Sequence, residues 1–184
     1  AKVDYAGGVW MSRYFPWTAN AFQPGGSGYS TLIHEIGHAL GLRHPFVEEE
    51  DEEGEDSRSS ESYALDTRLD NLAYTLMSYT QHPYSLVGIR EGAGEDEDPY
   101  LYVDPETLMH FDIAALQYLY GANTSYATGD DVYTFLNNRP LIKTIWDAGG
   151  VDTFSAANFT LGCVIDLRAG AHSSLFMQIG RAHV

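Results

Sequence analysis

The pattern of apolar and polar positions along the chain predicts two helices. The first runs from about Tyr29 to Leu40 and ends before Gly41, because glycine readily adopts the positive φ that commonly closes a helix. The second begins near Asp104, which can cap the first turn; Pro105 suits that turn and Gly121 ends the helix. Its apolar face, which core packing explains sufficiently, consists of Leu108, Met109, Ala115, Leu116 and Leu119.

The rest of the chain has the pattern of strands, turns and loops. Residues Gly7–Ser12 predict a short strand after a glycine turn, and the Pro-, Gly- and Ser-rich residues Arg13–Gly28 predict a loop. From Thr124 onward, short strands alternate with glycine turns. We therefore predict an α+β fold.

The charge balance is strongly acidic. The 184 residues include 26 Asp and Glu against 10 Lys and Arg, which gives a formal net charge of −16. Nucleic acids and anionic membranes are therefore poor partners. The acidic residues are concentrated in Glu48–Asp56, with a second patch at Glu95–Asp98, and such runs are typical of solvated surface loops. Weak cation binding and adaptation to a salty medium are the alternatives.

Cysteine content and termini bear on the cellular location. Cys163 is the only cysteine, so no disulfide can form within the chain. A single cysteine fits a cytoplasmic protein, and it fits a protein exported unfolded through a one-step channel equally well. No transmembrane run or signal peptide is visible. Because the chain starts at Ala1 without a methionine, we interpret it as an internal fragment.

The segment His34–His44 carries the most specific chemistry, and it reads H-E-x-x-H-x-x-G-x-x-H. His34 and His38 are four residues apart, which places both imidazoles on one face of a helix, where they can share a zinc ion. Gly41 lets the chain turn so that His44 becomes the third ligand. The fourth zinc position stays open for water, as catalytic sites require.

Glu35 directly follows the first ligand and therefore points about 100° around the helix from it. We expect it to act as a general base that removes a proton from the attacking water and later delivers it to the leaving amine. The eleven-residue pattern is the signature of metzincin zinc peptidases. The alternative is an ordinary amphipathic helix with chance histidines, and the glycine and third histidine argue against it.

Further motifs narrow the resemblance to one family. Leu76–Tyr79 looks like the metzincin Met-turn, whose methionine, Met77, would form a hydrophobic floor beneath the ligands. The segments His110–Asn123, Thr128–Asp130 and Trp146–Phe154 follow in order. Together these motifs resemble the serralysin family of secreted bacterial zinc metalloendopeptidases. The similarity extends from about residue 8 to about residue 167.

The resemblance implies a role for Tyr79. In serralysins the tyrosine of the Met-turn is a further zinc ligand in the resting enzyme. It moves away when substrate binds and then stabilises the oxyanion, which is a plausible role for a phenol near a dication. The strand before the zinc helix, here Gly7–Ser12, would be an edge strand that pairs with an extended substrate.

The turn Asp147–Asp152 reads D-A-G-G-V-D and is similar to the calcium-binding repeat of β-rolls. Calcium prefers carboxylate and carbonyl oxygens. By resemblance, the ligands would be the carbonyls of Ala127, Gly129, Gly149 and Gly150 and the carboxylates of Asp131, Asp147 and Asp152. The family usually has arginine at position 127 and threonine at position 131. A plain β-turn with surface aspartates is the alternative.

We therefore predict an incomplete metzincin catalytic domain at residues 1–123 and the start of a calcium-binding β-roll at residues 124–178. Residues 179–184 have no counterpart in the family at this point and are predicted to be foreign. The predicted activity is hydrolysis of internal peptide bonds of extracellular proteins, with Zn²⁺ as the catalytic and Ca²⁺ as the structural ion.

The alternative function is a calcium-dependent extracellular structural or adhesive module with an inert zinc site, against which the intact Glu35 speaks. Among enzymes, another metzincin branch is the alternative. The expected partners are polypeptide substrates and, by resemblance, a proteinaceous inhibitor. We expect a secreted monomer that does not insert into membranes and whose export signal lies at a C-terminus beyond this sequence.

Overall fold

The computed structural model describes residues 7–12, 21–46, 64–82, 85–89, 100–137, 139–168 and 170–175. The chain divides into two compact units, one formed by residues 1–121 and 141–144 and the other by residues 122–140 and 145–184. The described elements of the first unit are α1 (Ser27–Ala39), β1 (Leu86–Ile89), β2 (Tyr100–Tyr102) and α2 (His110–Tyr120). Those of the second are β3 (Val132–Thr134), β4 (Thr153–Ser155), β5 (Cys163–Val164) and β6 (Ser174–Leu175).

This mixture of helices and strands fits the predicted α+β fold. The assignment of a catalytic domain and a β-roll, and the boundary after residue 123, stay predictions. The acidic runs at 48–56 and 95–98 and the tail at 179–184 lie outside the described residues.

Helix α1 ends in a turn at Gly41, as predicted. Gly41 has φ +94°, and its N–H donates to the carbonyl of His38 at 2.9 Å. The N–H of Leu42 reaches back to the carbonyl of Gly37 at 3.0 Å. This pair of hydrogen bonds is a Schellman motif, which reverses the chain direction and satisfies two carbonyls at the helix end. It brings the segment up to His44 back toward the helix.

Helix α2 begins at His110, six residues later than the predicted start at Asp104. Pro105 instead forms an isolated parallel bridge with Ile142, and the N–H of Glu106 donates to the Ile142 carbonyl at 2.8 Å. A residue paired in a bridge is extended and cannot also start a helix. The predicted end is confirmed, since Gly121 follows the last helical residue with φ +84°.

The predicted apolar face of α2 is only partly buried. Met109, just before the helix, is 4% exposed, but Leu119 is 51% exposed, and the most buried residue within α2 is Asp112. His110 packs its ring against Tyr74 and Phe111, as expected for a structural role.

The buried apolar side chains of the first unit gather around the Met-turn and the ends of the two helices. They are Ala21, Leu42, Leu72, Ala73, Leu76, Met77, Val103 and Met109. This core holds the Met-turn in place beneath α1.

The strands form three two-stranded sheets among the described residues. β1 and β2 pair antiparallel with an irregularity between Leu86 and Gly88, β3 and β4 pair parallel, and β5 and β6 pair antiparallel. The predicted strand at Gly7–Ser12 is wrong, because these residues are described and do not form a strand. Within the described part of the chain, no helix is long and apolar enough to cross a membrane.

Candidate metal centre

Three histidines converge at the C-terminal half of α1. His34 and His38 lie one turn apart on the helix, with ring centroids 4.7 Å apart, and the turn at Gly41 brings in His44. The Nε2 atom of His44 lies 3.2 Å from that of His34 and 3.0 Å from that of His38. The predicted ligand triad is thus brought together, and the cluster is partly accessible because only His34 is buried.

Backbone carbonyls determine which nitrogen of each helical histidine carries the proton. Nδ1 of His34 lies 2.8 Å from the Leu76 carbonyl, and Nδ1 of His38 lies 3.0 Å from the Leu42 carbonyl. A carbonyl only accepts hydrogen bonds, so each Nδ1 must be the donor, and in the neutral imidazole the Nε2 then carries the lone pair. Lone pairs of these two rings therefore point toward the Nε2 of His44, an arrangement that a cation would stabilise.

Burial lowers the pKa of His34 below its ordinary value. The hydrogen bond to Leu76 opposes this shift, while the proximity of His38 and His44 adds to it. Because only a neutral imidazole binds a metal, the lowered pKa keeps His34 available as a ligand at neutral pH.

Glu35 lies outside the triad but borders two clefts that flank it. One cleft is lined by Gly7–Trp10 together with Glu35, His38 and Ala39. The other is lined by Ser30, Thr31, His34, Glu35, Leu72, Leu76, Ser78 and Tyr79. A carboxylate placed between two open clefts beside a metal site can exchange a proton with a molecule bound in either of them.

Tyr79 stands beside the triad and is 67% exposed. Its ring centroid is 4.6 Å from that of His44 and 5.6 Å from that of His34. Phe46, which the sequence analysis did not single out, stacks on His44 at 5.0 Å and also contacts Tyr79 at 5.2 Å. Nothing in the sequence spacing indicates this stacking.

Met77 lies beneath α1 as the predicted floor of the site. It is 2% exposed, and a Cβ added to Gly37 would lie 2.7 Å from its Sδ atom. Glycine at position 37 therefore lets the Met-turn approach the helix between the two helical histidines.

Asp112 is a polar residue of this region that sequence reasoning missed. Its carboxylate accepts hydrogen bonds from the Thr75 hydroxyl at 2.5 Å, the Leu76 N–H at 2.7 Å and the Met109 N–H at 2.8 Å. Burial raises the pKa of Asp112, and these three donors oppose the rise. An aspartate in the first turn of α2 could have indicated a cap, but the helix was predicted to start elsewhere.

A second group of side chains that could hold a metal ion lies in the second unit. Carboxylate oxygens of Asp131, Asp147 and Asp152 lie within 4.8 Å of one another. The Asp131 N–H donates to the Asp152 carboxylate at 2.9 Å, and the Gly149 N–H donates to that of Asp147 at 2.9 Å. The Tyr133 hydroxyl donates to the other oxygen of Asp147, which raises the pKa of the tyrosine.

The glycines and alanine predicted to contribute carbonyls lie in the same two turns. Ala127 has φ +48° and its carbonyl accepts from the Ala148 N–H at 3.2 Å. Gly150 has φ +120°, and a Cβ there would collide with the Gly129 carbonyl oxygen, so only glycine allows the two turns to approach. Asp130, which was not predicted, ties the turns together by accepting from the Val151 N–H at 2.8 Å.

Comparisons with known proteins agree with the motifs. Residues 109–179 match the family described as Peptidase M10 serralysin C terminal. Serralysin of Proteus mirabilis is 39% identical over an alignment of 184 positions, and the match covers 94% of this chain and 34% of that protein. Serralysin G of Dickeya chrysanthemi is 38% identical, covering 80% of this chain and 30% of that protein. Metalloprotease AprA of Pseudomonas entomophila is 35% identical, covering 87% and 33%.

The chain thus spans about a third of the length of the curated relatives that it matches. Over that third the identity is high enough, and the matched region long enough, to confirm the resemblance seen in the motifs. The name of the Pseudomonas entomophila relative implies that that protein depends on a metal, and the three imidazoles of this chain are a donor set that could hold one. The chain is therefore homologous to about a third of each of these serralysin and metalloprotease sequences, and it resembles the serralysin family.

Proposed function

We propose that this chain carries the catalytic zinc site of a secreted endopeptidase. The observation that supports the proposal is the convergence of three imidazole Nε2 atoms, with both Nδ1 atoms of the helical histidines committed to carbonyls. Imidazole nitrogens in this number and arrangement suit zinc, and His34, His38 and His44 would hold it.

The donor set favours a catalytic over a purely structural ion. Structural zinc sites close the coordination with four protein ligands, whereas the described cluster has three histidines and borders two clefts. Zinc held there would supply a Lewis acid that lowers the pKa of water and polarises a carbonyl.

Glu35 is proposed to act as the general base. It would take a proton from the water whose oxygen attacks the carbonyl carbon, and deliver that proton to the amine nitrogen as the C–N bond breaks. Tyr79, beside His34 and His44, would donate a hydrogen bond to the oxyanion and would serve as a further metal ligand at rest. Its high exposure leaves its ring room to move.

The three aspartates of the second unit are proposed to bind a structural calcium ion. Carboxylates of Asp131, Asp147 and Asp152 would share it with the carbonyls of Ala127, Gly129, Gly149 and Gly150. Hydrogen bonds from backbone N–H groups already orient Asp147 and Asp152, which supports a preformed site.

Substrates are proposed to be extracellular polypeptides, and the name metalloprotease of one relative agrees with a polypeptide substrate. Secretion, a monomeric state and a proteinaceous inhibitor are further proposals that follow from the resemblance alone.

The test is hydrolysis of casein by the chain with zinc and calcium, run beside Glu35→Gln and Glu35→Ala. Removal of the base should lower kcat by at least about 100-fold while zinc content stays at one per chain. Zinc content is read by atomic absorption after gel filtration. Full activity of a zinc-loaded Glu35→Ala protein would contradict the mechanism. Zinc binding without activity, both in this chain and in a chain with the predicted missing N-terminal region restored, would favour the inert module instead.

A further inference from the structure

Asp112 is a buried carboxylate that lies away from the three histidines. It is 2% exposed and accepts three hydrogen bonds, one from the hydroxyl of Thr75 and two from the N–H groups of Leu76 and Met109. Three donors aimed at one carboxyl group favour its ionised form. Among the described residues, no lysine or arginine forms an ion pair with it.

Leu76 connects this carboxylate to the metal centre. Its N–H donates to Oδ2 of Asp112 at 2.7 Å, and its carbonyl accepts from Nδ1 of His34 at 2.8 Å. Both polar groups of one residue are therefore fixed, one by the carboxylate and the other by the histidine. Leu76 itself is 1% exposed, so packing prevents its backbone from adjusting independently.

We infer that Asp112 is a positioning residue for the first zinc ligand: through Leu76 it orients the ring of His34 and, by its negative charge, favours a dication at that histidine. The inference rests on the proposed zinc site. The Asp112 carboxylate and the His34 ring are both hydrogen-bonded to the backbone of Leu76. In a poorly solvated interior the attraction between a carboxylate and a dication is stronger than in water, and a dication would offset the cost of burying the carboxylate.

His38 provides an internal contrast. Its Nδ1 also donates to a carbonyl, that of Leu42, but the N–H of Leu42 donates to the Gly37 carbonyl within the Schellman motif. The second ligand is thus oriented by α1 itself, and the first by a charged side chain from a different helix. Outer partners of this kind commonly change metal affinity by about 10- to 100-fold when they are replaced.

The test compares Asp112→Asn with Asp70→Asn. The amide introduced by Asp112→Asn retains an oxygen for the two backbone N–H groups and removes the charge. Asp70 is a matched control because it also accepts a hydrogen bond from the Met-turn, from the Ser78 hydroxyl at 2.6 Å, but has no link to His34 through Leu76. Zinc dissociation constants are measured by competition with a chromophoric chelator, and urea unfolding of the metal-free proteins is measured in parallel.

We expect Asp112→Asn to weaken zinc binding by about 10- to 100-fold and Asp70→Asn by less than about 3-fold. Cobalt-substituted Asp112→Asn should also show altered visible absorption, because the geometry of one ligand has changed. Unchanged zinc affinity with a loss of metal-free stability would mean that Asp112 is a helix cap and nothing more. Equal losses in both variants would assign the effect to the Met-turn as a whole.

A milder pair of variants serves where Asp112→Asn does not fold. Thr75→Val removes one of the three donors to the carboxylate and also the acceptor of the Met77 N–H, whereas Thr75→Ser keeps both hydrogen bonds. Zinc affinity should fall in the first and stay near the original value in the second. Equal affinities in these two variants would contradict the inference. An unmodified chain that binds no zinc would overturn the proposed function itself.

Discussion

Gly37 is the residue at which the helix and the Met-turn come closest. A Cβ at this position would lie 2.7 Å from Sδ and 3.6 Å from Cε of Met77, and 3.4 Å from Cδ1 of Leu42. Since Met77 is 2% exposed, it has little freedom to move aside. We predict that Gly37→Ala destabilises the protein by up to about 2 kcal/mol, because overpacking of about 1–3 kcal/mol exceeds the gain of about 1 kcal/mol from better helix propensity.

The matched background for this prediction is Met77→Ala, which removes the colliding atoms. There Gly37→Ala should stabilise by up to about 1 kcal/mol, so the sign of its effect reverses. Urea unfolding of the four proteins of this double-mutant cycle measures both effects. The same destabilisation in both backgrounds would show that Met77 is not the obstacle.

Site residues whose positions depend on local spacing could be predicted from the sequence. Site residues that depend on contacts between distant parts of the chain could not. His34, His38 and His44 were identified because helix periodicity and one glycine suffice to bring them together. Phe46 and Asp112 were missed. Nothing in the spacing shows that Phe46 stacks on His44 or that an aspartate 36 residues beyond Leu76 meets its N–H group.

Among the elements, the C-terminus of α1 has the clearest consequence for the site. Gly41 occupies a φ of +94°, which a residue with a Cβ adopts only at a cost, although space is available since the nearest atom to an added Cβ is 4.0 Å away. We predict that Gly41→Ala costs about 1 kcal/mol or more in stability and also weakens zinc binding, because the Leu42 carbonyl that orients His38 would shift.

Gly41→Asn is the comparison for that prediction, since asparagine tolerates positive φ better than alanine. Both stability and zinc affinity should follow the order glycine, asparagine, alanine. They are measured by urea unfolding and by chelator competition. If alanine and asparagine behave alike, backbone strain at this position is not the cause.

The C-terminus of α1 could be predicted from the sequence, whereas the N-terminus of α2 could not. α1 was predicted at residues 29–40 and lies at 27–39, because its last turn is closed by local backbone chemistry. α2 was predicted to start six residues too early because Asp104 and Pro105 are good starting residues by themselves. The pairing of Pro105 with Ile142, 37 positions away, decides otherwise, and no local pattern reports it. A local pattern misled in the same way at Gly7–Ser12, which does not form a strand.

At the scale of the molecule, the two candidate metal sites found among the described residues lie in different compact units. The three histidines belong to the first unit and the three aspartates to the second. An ion that binds only the folded form stabilises it by about 2.7 kcal/mol at a concentration 100 times its dissociation constant. The stabilisation by zinc should therefore depend on one set of residues and that by calcium on the other.

We predict that His38→Ala abolishes the increase in melting temperature caused by zinc and retains the increase caused by calcium, whereas Asp147→Asn does the reverse. Asp166→Asn is the control, because it also removes an aspartate of the second unit, one paired with Arg168 and outside the cluster. Differential scanning calorimetry with each ion separately measures the shifts. If calcium still stabilises Asp147→Asn, the calcium ion binds elsewhere. If calcium no longer stabilises His38→Ala, the calcium effect depends on the zinc site. Selective loss in each variant requires that both sites bind their own ion, because nonspecific screening of the −16 net charge would act on all three variants alike.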